Sequence, residues 1–358
     1  MIENAGARSV PDVQTSVPGR RRILAGAGTA LGLAFLPRLG RASALEKVTL
    51  RLDWTPWGEQ AAYHLAKSKG WYEEAGVDVR IEDGYGSTST VQIVANDSAV
   101  DVGDAALSSM MVDRNKGEPL KAMATYERNT DLGVMVPNDG GIKTVQDLRG
   151  KRIGYTASSL EGPFVDTFLA KGGLSRNDCH LFNMSGGAKL GAYIAGRLDG
   201  AFSAVTFFLP AVAPRRPSHA VLAKDVGITF PSYGLFATEH KIATRRDALT
   251  RLVSVSSGAW AYIADGHEAE GAAAIRRERP QAKLSDSVML NQIKMFLTFF
   301  PTPATTGKPV GWQALADWAA AARTLAEVKL LPPDSDPKQF YTNALLDEAI
   351  YRKVASGR

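Results

Sequence analysis

Two tryptophans, Trp54 and Trp57, directly follow a run in which the apolar residues Val48, Leu50 and Leu52 alternate with polar ones. The alternation predicts a strand with one buried face, and open α/β sheets bind ligands at the carboxyl ends of their strands. Indole rings offer large rigid faces on which a flat ligand can stack. The pair therefore indicates an aromatic binding site, with buried structural tryptophans as the alternative.

Two segments rich in Ser and Thr, residues 84–90 and 156–163, each come between a predicted strand and a predicted helix. Free N–H groups and the dipole at a helix start favour a negative or strongly accepting group. The segments therefore predict a site for a sulfonate, carboxylate or carbonyl oxygen. The alternative interpretation is that Ser87 or Ser89 is an ordinary helix cap and that Glu161 is the acid of a capping box.

Charged side chains near these segments could also take part in binding. Glu161 would suit an amino or ring N–H group, because its carboxylate repels a sulfonate. Asp104 is placed to accept from a ligand or a neighbouring loop, Asp101 is expected to brace the structure, and Lys189 is expected to be a solvated surface charge. With polar and aromatic residues from other strand ends, the predicted ligand-binding set is Trp54, Trp57, Gln60, Tyr85, Gly86, Ser87, Thr88, Asp104, Tyr126, Ser158, Ser159, Glu161, Thr206 and Tyr233.

The sequence lacks the usual patterns of catalytic machinery. It has no HxxxH, no CxxC and no paired-carboxylate spacing that indicates a metal, and its five histidines are scattered at positions 64, 180, 219, 240 and 267. The single cysteine, Cys179, excludes a disulfide within one chain and is expected to be a packed residue. We therefore expect no metal, no cofactor and no catalytic residue.

The elements that must position these residues alternate between strands and helices, which favours parallel sheets. The chain is predicted to leave the first group of strands at residues 133–136 and to return at residues 231–238. Two crossings imply a hinge between two lobes. Helical spacing then recurs at 249–265, 287–297, 312–325 and 342–353.

The amino terminus carries the pattern of an export signal. Three consecutive arginines in Gly19–Leu24 precede an apolar run from Ile23 to Leu36 and an Ala42-Ser43-Ala44 cleavage pattern. The run is shorter than the roughly 20 residues of a membrane anchor, and no cysteine for lipid attachment is near the cleavage point. These features predict a twin-arginine signal and a soluble periplasmic protein, with a disordered basic tail as the alternative.

Charge gives no reason to expect nucleic acid or an acidic membrane as a partner. The full chain has a net charge of +5, but residues 1–44 hold six arginines and only two acidic residues. Without that segment the net charge falls to about +1, so the basic character belongs largely to the predicted signal.

The stretches LDWTP, KGWYEEAGVDV, YGSTSTVQIVA and DVGDAALSSM together resemble the periplasmic substrate-binding proteins of sulfonate, taurine, nitrate and thiamine-pyrimidine ABC importers. The likeness covers roughly residues 46 to 330. It implies a type II periplasmic binding fold, a small-molecule solute, and permease and ATPase subunits in the inner membrane as partners. A monomer is expected.

The same family contains fungal enzymes that make the thiamine pyrimidine. In those enzymes a Lys and a His follow the turn that is DVGD here, whereas this chain has Ala105 and Ser109, so the resemblance implies no enzyme. Pyrimidine-binding relatives often have a His where this chain has Gln60 and an Asn where it has Trp57. These departures set the chain's binding site apart from theirs.

The sequence thus predicts an α/β protein of two lobes, each a mostly parallel sheet flanked by helices, with two hinge crossings. Residues 1–44 would be the signal, residues 45–134 with 235–358 lobe 1, and residues 135–234 lobe 2. The predicted function is delivery of a small polar or heteroaromatic solute, thiamine-pyrimidine-like, a sulfonate or related, to a permease. The alternatives are a pyrimidine-synthase-like enzyme and a periplasmic ligand-sensing subunit.

Overall fold

In a computed structural model of the chain, residues 44–282 and 285–358 are described, so nearly all of the predicted signal lies outside the described residues. The strands are β1 (Glu46–Arg51), β2 (Val77–Glu82), β3 (Val102–Ala106), β4 (Leu120–Thr125), β5 (Leu132–Pro137), β6 (Arg152–Tyr155), β7 (His180–Asn183), β8 (Gly200–Ala204), β9 (Ser218–Leu222) and β10 (Tyr233–Thr238). Among the described residues, no helix has both the length and the apolar character needed to span a bilayer.

Helices cover the sheets and fill the carboxyl-terminal third of the chain. They are α1 (Ala61–Ser68), α2 (Trp71–Glu74), α3 (Ser87–Asn96), α4 (Leu107–Asn115), α5 (Val165–Lys171), α6 (Gly186–Ile194), α7 (Val205–Val212), α8 (Glu239–Thr244), α9 (Arg246–Tyr262), α10 (Glu268–Glu278), α11 (Asp286–Leu297), α12 (Leu315–Glu327) and α13 (Glu348–Ala355).

The strands form two five-stranded sheets with the same plan. The first has the order β2-β1-β3-β10-β4 and the second the order β7-β6-β8-β5-β9. In the first sheet only β10 runs antiparallel to its neighbours, and in the second only β5 does. The predicted fold of two mostly parallel sheets flanked by helices is confirmed. We call each sheet with its packed helices lobe 1 and lobe 2; the exact residue boundaries given above stay predictions.

The segment between β4 and β5 and the segment between β9 and β10 pair with each other along the backbone. The first of these precedes the predicted crossing at residues 133–136, which lie in β5 of the second sheet. The N–H groups of Tyr126 and Glu127 donate to the carbonyl of Tyr233 at 3.0 and 3.2 Å, and the N–H of Ser232 donates to the carbonyl of Glu127 at 2.8 Å. Beside them, the guanidinium of Arg128 donates to three backbone carbonyls of the 300–312 segment. The hinge therefore consists of two short chain segments that backbone hydrogen bonds hold side by side.

Several elements differ from the sequence prediction. Strand β9 lies at the edge of its sheet with mostly half-buried side chains, so it lacks the apolar alternation that predicts a strand. Helices α12 and α13 begin three and six residues later than predicted. The intervening residues stay outside the helices, where Gln313 Nε2 donates to the Thr342 carbonyl at 2.9 Å and the Thr342 N–H donates to the Ala122 carbonyl at 2.9 Å.

Candidate functional site

A cavity of about 450 Å³, including its solvent-open mouth, lies between the two lobes at the carboxyl ends of their strands. Its volume falls within the roughly 300–1,000 Å³ typical of small-molecule sites. Both lobes contribute to its wall, which is lined by Asp53, Trp54, Trp57, Ser87, Thr156, Ser159, Leu160, Glu161, Gly186, Lys189, Ser203, Ala204, Phe207 and Tyr233.

The loop after β1 is held in place by the loop after β2. The Gly84 N–H donates to the Trp54 carbonyl at 3.0 Å, and the Gly86 N–H donates to the Asp53 carbonyl at 2.6 Å. A Cβ on Gly84 would lie 2.1 Å from the Leu52 carbonyl oxygen, and Gly86 has a φ of +135°, which side chains disfavour. The two glycines therefore permit the close packing that fixes Asp53 and Trp54 at the cavity.

Asp53 brings a nearly buried carboxyl group to the lobe 1 wall. Burial raises its pKa to about 7, and the nearby side chains of Trp57, Tyr233 and Ser87 offset part of this effect. Only the Ser87 hydroxyl is within hydrogen-bonding geometry, donating to Asp53 Oδ2 at 3.4 Å. Asp53 Oδ1 and the Trp57 indole N–H are buried and have no hydrogen-bond partner among the described residues.

Lobe 2 brings a buried ion pair to the opposite wall. The Lys189 ammonium donates to Glu161 Oε1 and, at 2.9 Å, to the Phe202 carbonyl. Glu161 Oε1 also accepts from the Thr156 N–H at 3.0 Å, and both charged side chains are only 2% exposed. An ammonium has three donors, and two of those of Lys189 have protein partners. The pair is thus satisfied in part, with capacity left toward the cavity.

The prediction that Lys189 is a solvated surface charge is wrong. Ser185 caps helix α6, which packs on β6 and β8 and turns the Lys189 side chain inward. Gly154 of β6 makes room for it, because a Cβ there would lie 3.3 Å from Lys189 Cγ. The alternatives for Ser87 and Glu161 are also wrong: neither side chain caps its helix.

Aromatic rings from both lobes form the apolar part of the wall. Trp57 is 2% exposed and meets Tyr233 of lobe 1 and Phe207 of lobe 2 edge-on, with ring centroids 5.5 Å apart in each case. Trp54 also lines the cavity and is half-buried. Trp57 therefore combines a core position with a cavity-facing one, whereas Trp54 is less tightly packed.

Six residues of the predicted binding set line the cavity: Trp54, Trp57, Ser87, Ser159, Glu161 and Tyr233. Thr88 and Ser158 instead line a second groove of about 710 Å³. Gly86 of lobe 1 approaches the Ser158 carbonyl of lobe 2, to which an added Cβ would be 3.3 Å distant. The predicted set is thus distributed over two spaces.

The remaining predicted residues lie elsewhere in lobe 1, at the hinge or, for Thr206, in α7 of lobe 2. Gln60 is buried and donates to the carbonyls of Trp54 and Thr55, while Tyr85 is 74% exposed beneath the Arg51 guanidinium. Asp104 and Tyr126 are fully buried, and Thr206 donates to Asp131 at 2.6 Å. Contact of these residues with a solute stays a prediction.

Eight lining residues were absent from the predicted set: Asp53, Thr156, Leu160, Gly186, Lys189, Ser203, Ala204 and Phe207. Asp53 stands between the strand and Trp54, so its position alone could have indicated it. The small residues Gly186, Ser203 and Ala204 carry no sequence signal for binding, because their role follows from where the sheets place them. The brace predicted at Asp101 is confirmed by its bond from the Thr49 N–H and its ion pairs.

Asp53 belongs to a larger group of buried acids on the lobe 1 side. Burial, followed by the charges of Asp104 and Asp53, raises the pKa of Glu59 well above its usual value. Burial likewise raises the pKa of Asp104 to about 8. No carboxyl oxygen of Glu59 or Asp104 has a hydrogen-bond partner among the described residues. Near neutral pH Glu59 and Asp104 are therefore held largely in their protonated form, whereas Asp53, with a pKa of about 7, is partly ionised.

A second acid pair lies at the hinge. Burial and then the charge of Asp131 raise the pKa of Glu127. Burial raises the pKa of Asp131 to about 6, although Asp131 Oδ2 accepts from the N–H and the hydroxyl of Thr206. Within residues 44–282 and 285–358, no group of three or more His, Cys, Asp or Glu side chains is placed to hold a metal ion.

The sequence model of a family described as NMT1/THI5 like matches residues 57–269, which is more than half of the chain. The chain belongs to the NMT1/THI5-like family. The match begins at Trp57 and runs through both walls of the cavity, so the family resemblance includes most of the residues that line it.

Relatives of this NMT1/THI5-like protein carry names from pyrimidine and flavin chemistry. A formylaminopyrimidine-binding protein of Halalkalibacterium halodurans is 28% identical over 157 residues, covering 44% of this chain and 47% of the relative. A 4-amino-5-hydroxymethyl-2-methylpyrimidine phosphate synthase of Saccharomyces cerevisiae is 28% identical over 111 residues, or 31% of this chain and 32% of the enzyme. The chain spans about half or less of the length of these two relatives.

A longer match and a solved structure complete the comparison of the NMT1/THI5-like chain. The riboflavin-binding protein RibY of Chloroflexus aurantiacus is 23% identical over 321 residues, covering 86% of this chain and 88% of the relative. The alkanesulfonate-binding protein SsuA of Xanthomonas axonopodis pv. citri, bound to MOPS, superposes with a TM-score of 0.63 at 15% identity, over 84% of this chain and 99% of that one. The structural likeness establishes the periplasmic binding protein fold.

Proposed function

We propose that this protein is the solute-binding component of an ABC importer and that its solute is a small N-heteroaromatic molecule. The observation that carries the proposal is the placement of two carboxyl groups, Asp53 and Glu161, on opposite walls of one cavity beside the indoles of Trp54 and Trp57. Carboxyl groups accept from amino and ring N–H donors, and indoles stack on flat rings.

The charges of the cavity favour a neutral or N–H-rich solute over a free anion. A sulfonate or nitrate would lie near Asp53 and Glu161, and Lys189, the one positive group that lines the cavity among residues 44–282 and 285–358, is already paired with Glu161. Like charges in a poorly hydrated space repel strongly, so an anion would bind only with Asp53 protonated. A ring with amino and acceptor edges meets no such penalty.

The relatives support the same class of solute. The names of the formylaminopyrimidine-binding protein and of RibY refer to a pyrimidine and a flavin, both flat nitrogen heterocycles. Two lobes joined by two hinge crossings suit capture by closure and release to a permease. The predicted twin-arginine signal would place the mature protein in the periplasm, where such a component acts.

The test uses residues 45–358 refolded from denaturant, so that any solute carried through purification is removed. Calorimetric titration with 4-amino-5-hydroxymethyl-2-methylpyrimidine, riboflavin, taurine and nitrate should give heat with a heteroaromatic compound. Asp53→Asn should weaken that binding about tenfold, because the carboxylate has two acceptor oxygens and the amide has only one. Asp225→Asn, at an exposed position of lobe 2, is the matched control and should bind as the wild type does. Binding of taurine or nitrate alone would contradict the proposal.

A second candidate is an enzyme, favoured by the 28% identity to the yeast pyrimidine synthase. The positions that follow the DVGD turn argue against it, since Ala105 is fully buried in β3 and Ser109 lines the second groove. Incubation of the refolded protein with pyridoxal phosphate separates the two candidates. An internal aldimine absorbance would favour the enzyme, and its absence with retained heteroaromatic binding would favour the solute-binding protein.

A further inference from the structure

The two lobes touch across the cleft at topologically equivalent places. Helix α3 follows β2 in lobe 1, and helix α6 follows β7 in lobe 2. A glycine at the start of each helix faces a loop of the other lobe. The glycine of α3 faces the loop after β6, and the glycine of α6 faces the loop after β1. Gly86 faces the Ser158 carbonyl, and Gly186 faces the Trp54 ring, where an added Cβ would lie 3.1 Å from Trp54 Cζ2.

The two contacts need glycine for different reasons. Gly86 has a φ of +135°, so its backbone alone disfavours a side chain. Gly186 begins α6 without a left-handed backbone, and its neighbour Gly187, in the same helical turn, has no atom within 4 Å of an added Cβ. The lack of a side chain at position 186 is therefore explained by the contact across the cleft and by nothing within lobe 2.

Trp54 is fixed to lobe 1 by its backbone while its ring reaches lobe 2. Its carbonyl accepts from the Gly84 N–H at 3.0 Å and from Gln60 Nε2 at 3.3 Å. The same indole lines the cavity and packs its six-membered ring on Gly186. A solute that stacks on this ring would therefore also hold the ring in the position in which it contacts Gly186 of lobe 2.

We propose that Trp54 and Gly186 form a closure contact that couples solute binding to the closing of the lobes, with Trp54 as the positioning residue. The inference rests on the proposed solute-binding function for its ligand, but the contact itself does not. A side chain at position 186 displaces the ring and holds the lobes apart, whereas a side chain at position 187 points into open space.

The experiment compares Gly186→Val with Gly187→Val, which carry the same side chain at adjacent positions of one helix. Calorimetry with 4-amino-5-hydroxymethyl-2-methylpyrimidine and riboflavin measures affinity, and small-angle scattering measures the radius of gyration with and without these probes. We expect Gly186→Val to raise Kd about tenfold or more, corresponding to about 1.4 kcal/mol, and to be more expanded than Gly187→Val. Both variants should melt at similar temperatures, because neither position is packed within its own lobe.

The outcomes separate this inference from the proposed function. If neither probe binds the wild type but Gly186→Val is more expanded than Gly187→Val, the heteroaromatic proposal fails and the closure contact stands. If the probes bind and the two variants match in affinity and in scattering, the closure contact is overturned and the function stands. Equal scattering of both variants in every condition, with no probe binding, overturns both.

Discussion

The two lobes share one sheet order but differ in whether their buried acidic side chains have a basic partner. Lobe 1 and its hinge bury Asp53, Glu59, Asp104 and Glu127, and no basic side chain pairs with any of these carboxyls among the described residues. Lobe 2 buries an acid together with its base, Glu161 with Lys189. Topology therefore fixes where the cavity lies, whereas local sequence decides whether a buried charge is neutralised by a proton or by a partner.

The largest effect should come from breaking the lobe 2 pair. Lys189→Met leaves the Glu161 carboxylate buried and unpaired, which should lower the free energy of unfolding by about 3–5 kcal/mol in denaturant titrations. The double variant Lys189→Met with Glu161→Gln should recover most of the loss, because no charge then remains to be solvated.

An exposed pair between Lys171 in α5 of lobe 2 and Glu327 at the end of α12 supplies the control for that experiment. Lys171 and Glu327 form an ion pair whose side chains are 34% and 58% exposed. Lys171→Met should cost less than about 1 kcal/mol, since surface pairs contribute little. A small loss for Lys189→Met, similar to that of Lys171→Met, would mean that lobe 2 does not depend on its buried pair.

The lobe 1 acids should give the protein an unusual dependence of stability on pH. Their pKa values are raised in the folded state, to about 7 for Asp53 and about 8 for Asp104, so the folded chain binds protons more tightly than the unfolded one. The free energy of unfolding should therefore be highest near pH 4 and fall as the pH rises through 7 to 8, by on the order of 2–4 kcal/mol.

Asp104→Asn should flatten that pH profile, because it removes one of the groups that lose a proton. Asp78→Asn, at an exposed position of β2 in the same sheet, should leave the slope unchanged. Urea unfolding at a series of pH values measures both. Stability that rises between pH 5 and pH 8 in the wild type would show that the buried acids are ionised and stabilised by other means.

The smallest effect should separate two neighbouring hydroxyls of α3. Ser87 is buried, accepts from the Ala106 N–H at 3.2 Å and donates to Asp53, whereas the adjacent Thr88 is exposed and makes no hydrogen bond among the described residues. Ser87→Ala should lower the free energy of unfolding by about 1 kcal/mol, and Thr88→Ala should leave it nearly unchanged. Equal losses would indicate helix propensity and not the hydrogen bonds as the cause.

The sequence predicts the fold well because its signals are local. Alternation at Val48, Leu50 and Leu52 and the strand-then-helix order depend on neighbours in the chain, and the structure confirms strands and helices at those places. Strand β9 escaped prediction because an edge position demands little burial. The same local signals indicated Trp54, Trp57 and Glu161, which line the cavity.

The rest of the site depends on contacts that the sequence does not encode locally. Lys189 and Glu161 are 28 residues apart and meet only because α6 packs behind β6 and β8. Gly186 faces Trp54 from the other lobe, more than a hundred residues away along the chain. A charge or a glycine has no periodic pattern, so its role becomes evident only once the sheets have placed it.

The first sheet is completed by a strand that follows all of the second sheet in the chain, and this has a consequence for biosynthesis. Strand β10 lies between β3 and β4, so β4 has no strand neighbour in its own sheet until residues 233–238 arrive. The second sheet differs, because its five strands, β5 to β9, follow one another along the chain. A nascent chain that has emerged only as far as β4 therefore holds an unfinished half with open strand edges, which are prone to aggregate. Lobe 1 is synthesised first, but its sheet can be completed only after the strands of lobe 2 have been synthesised.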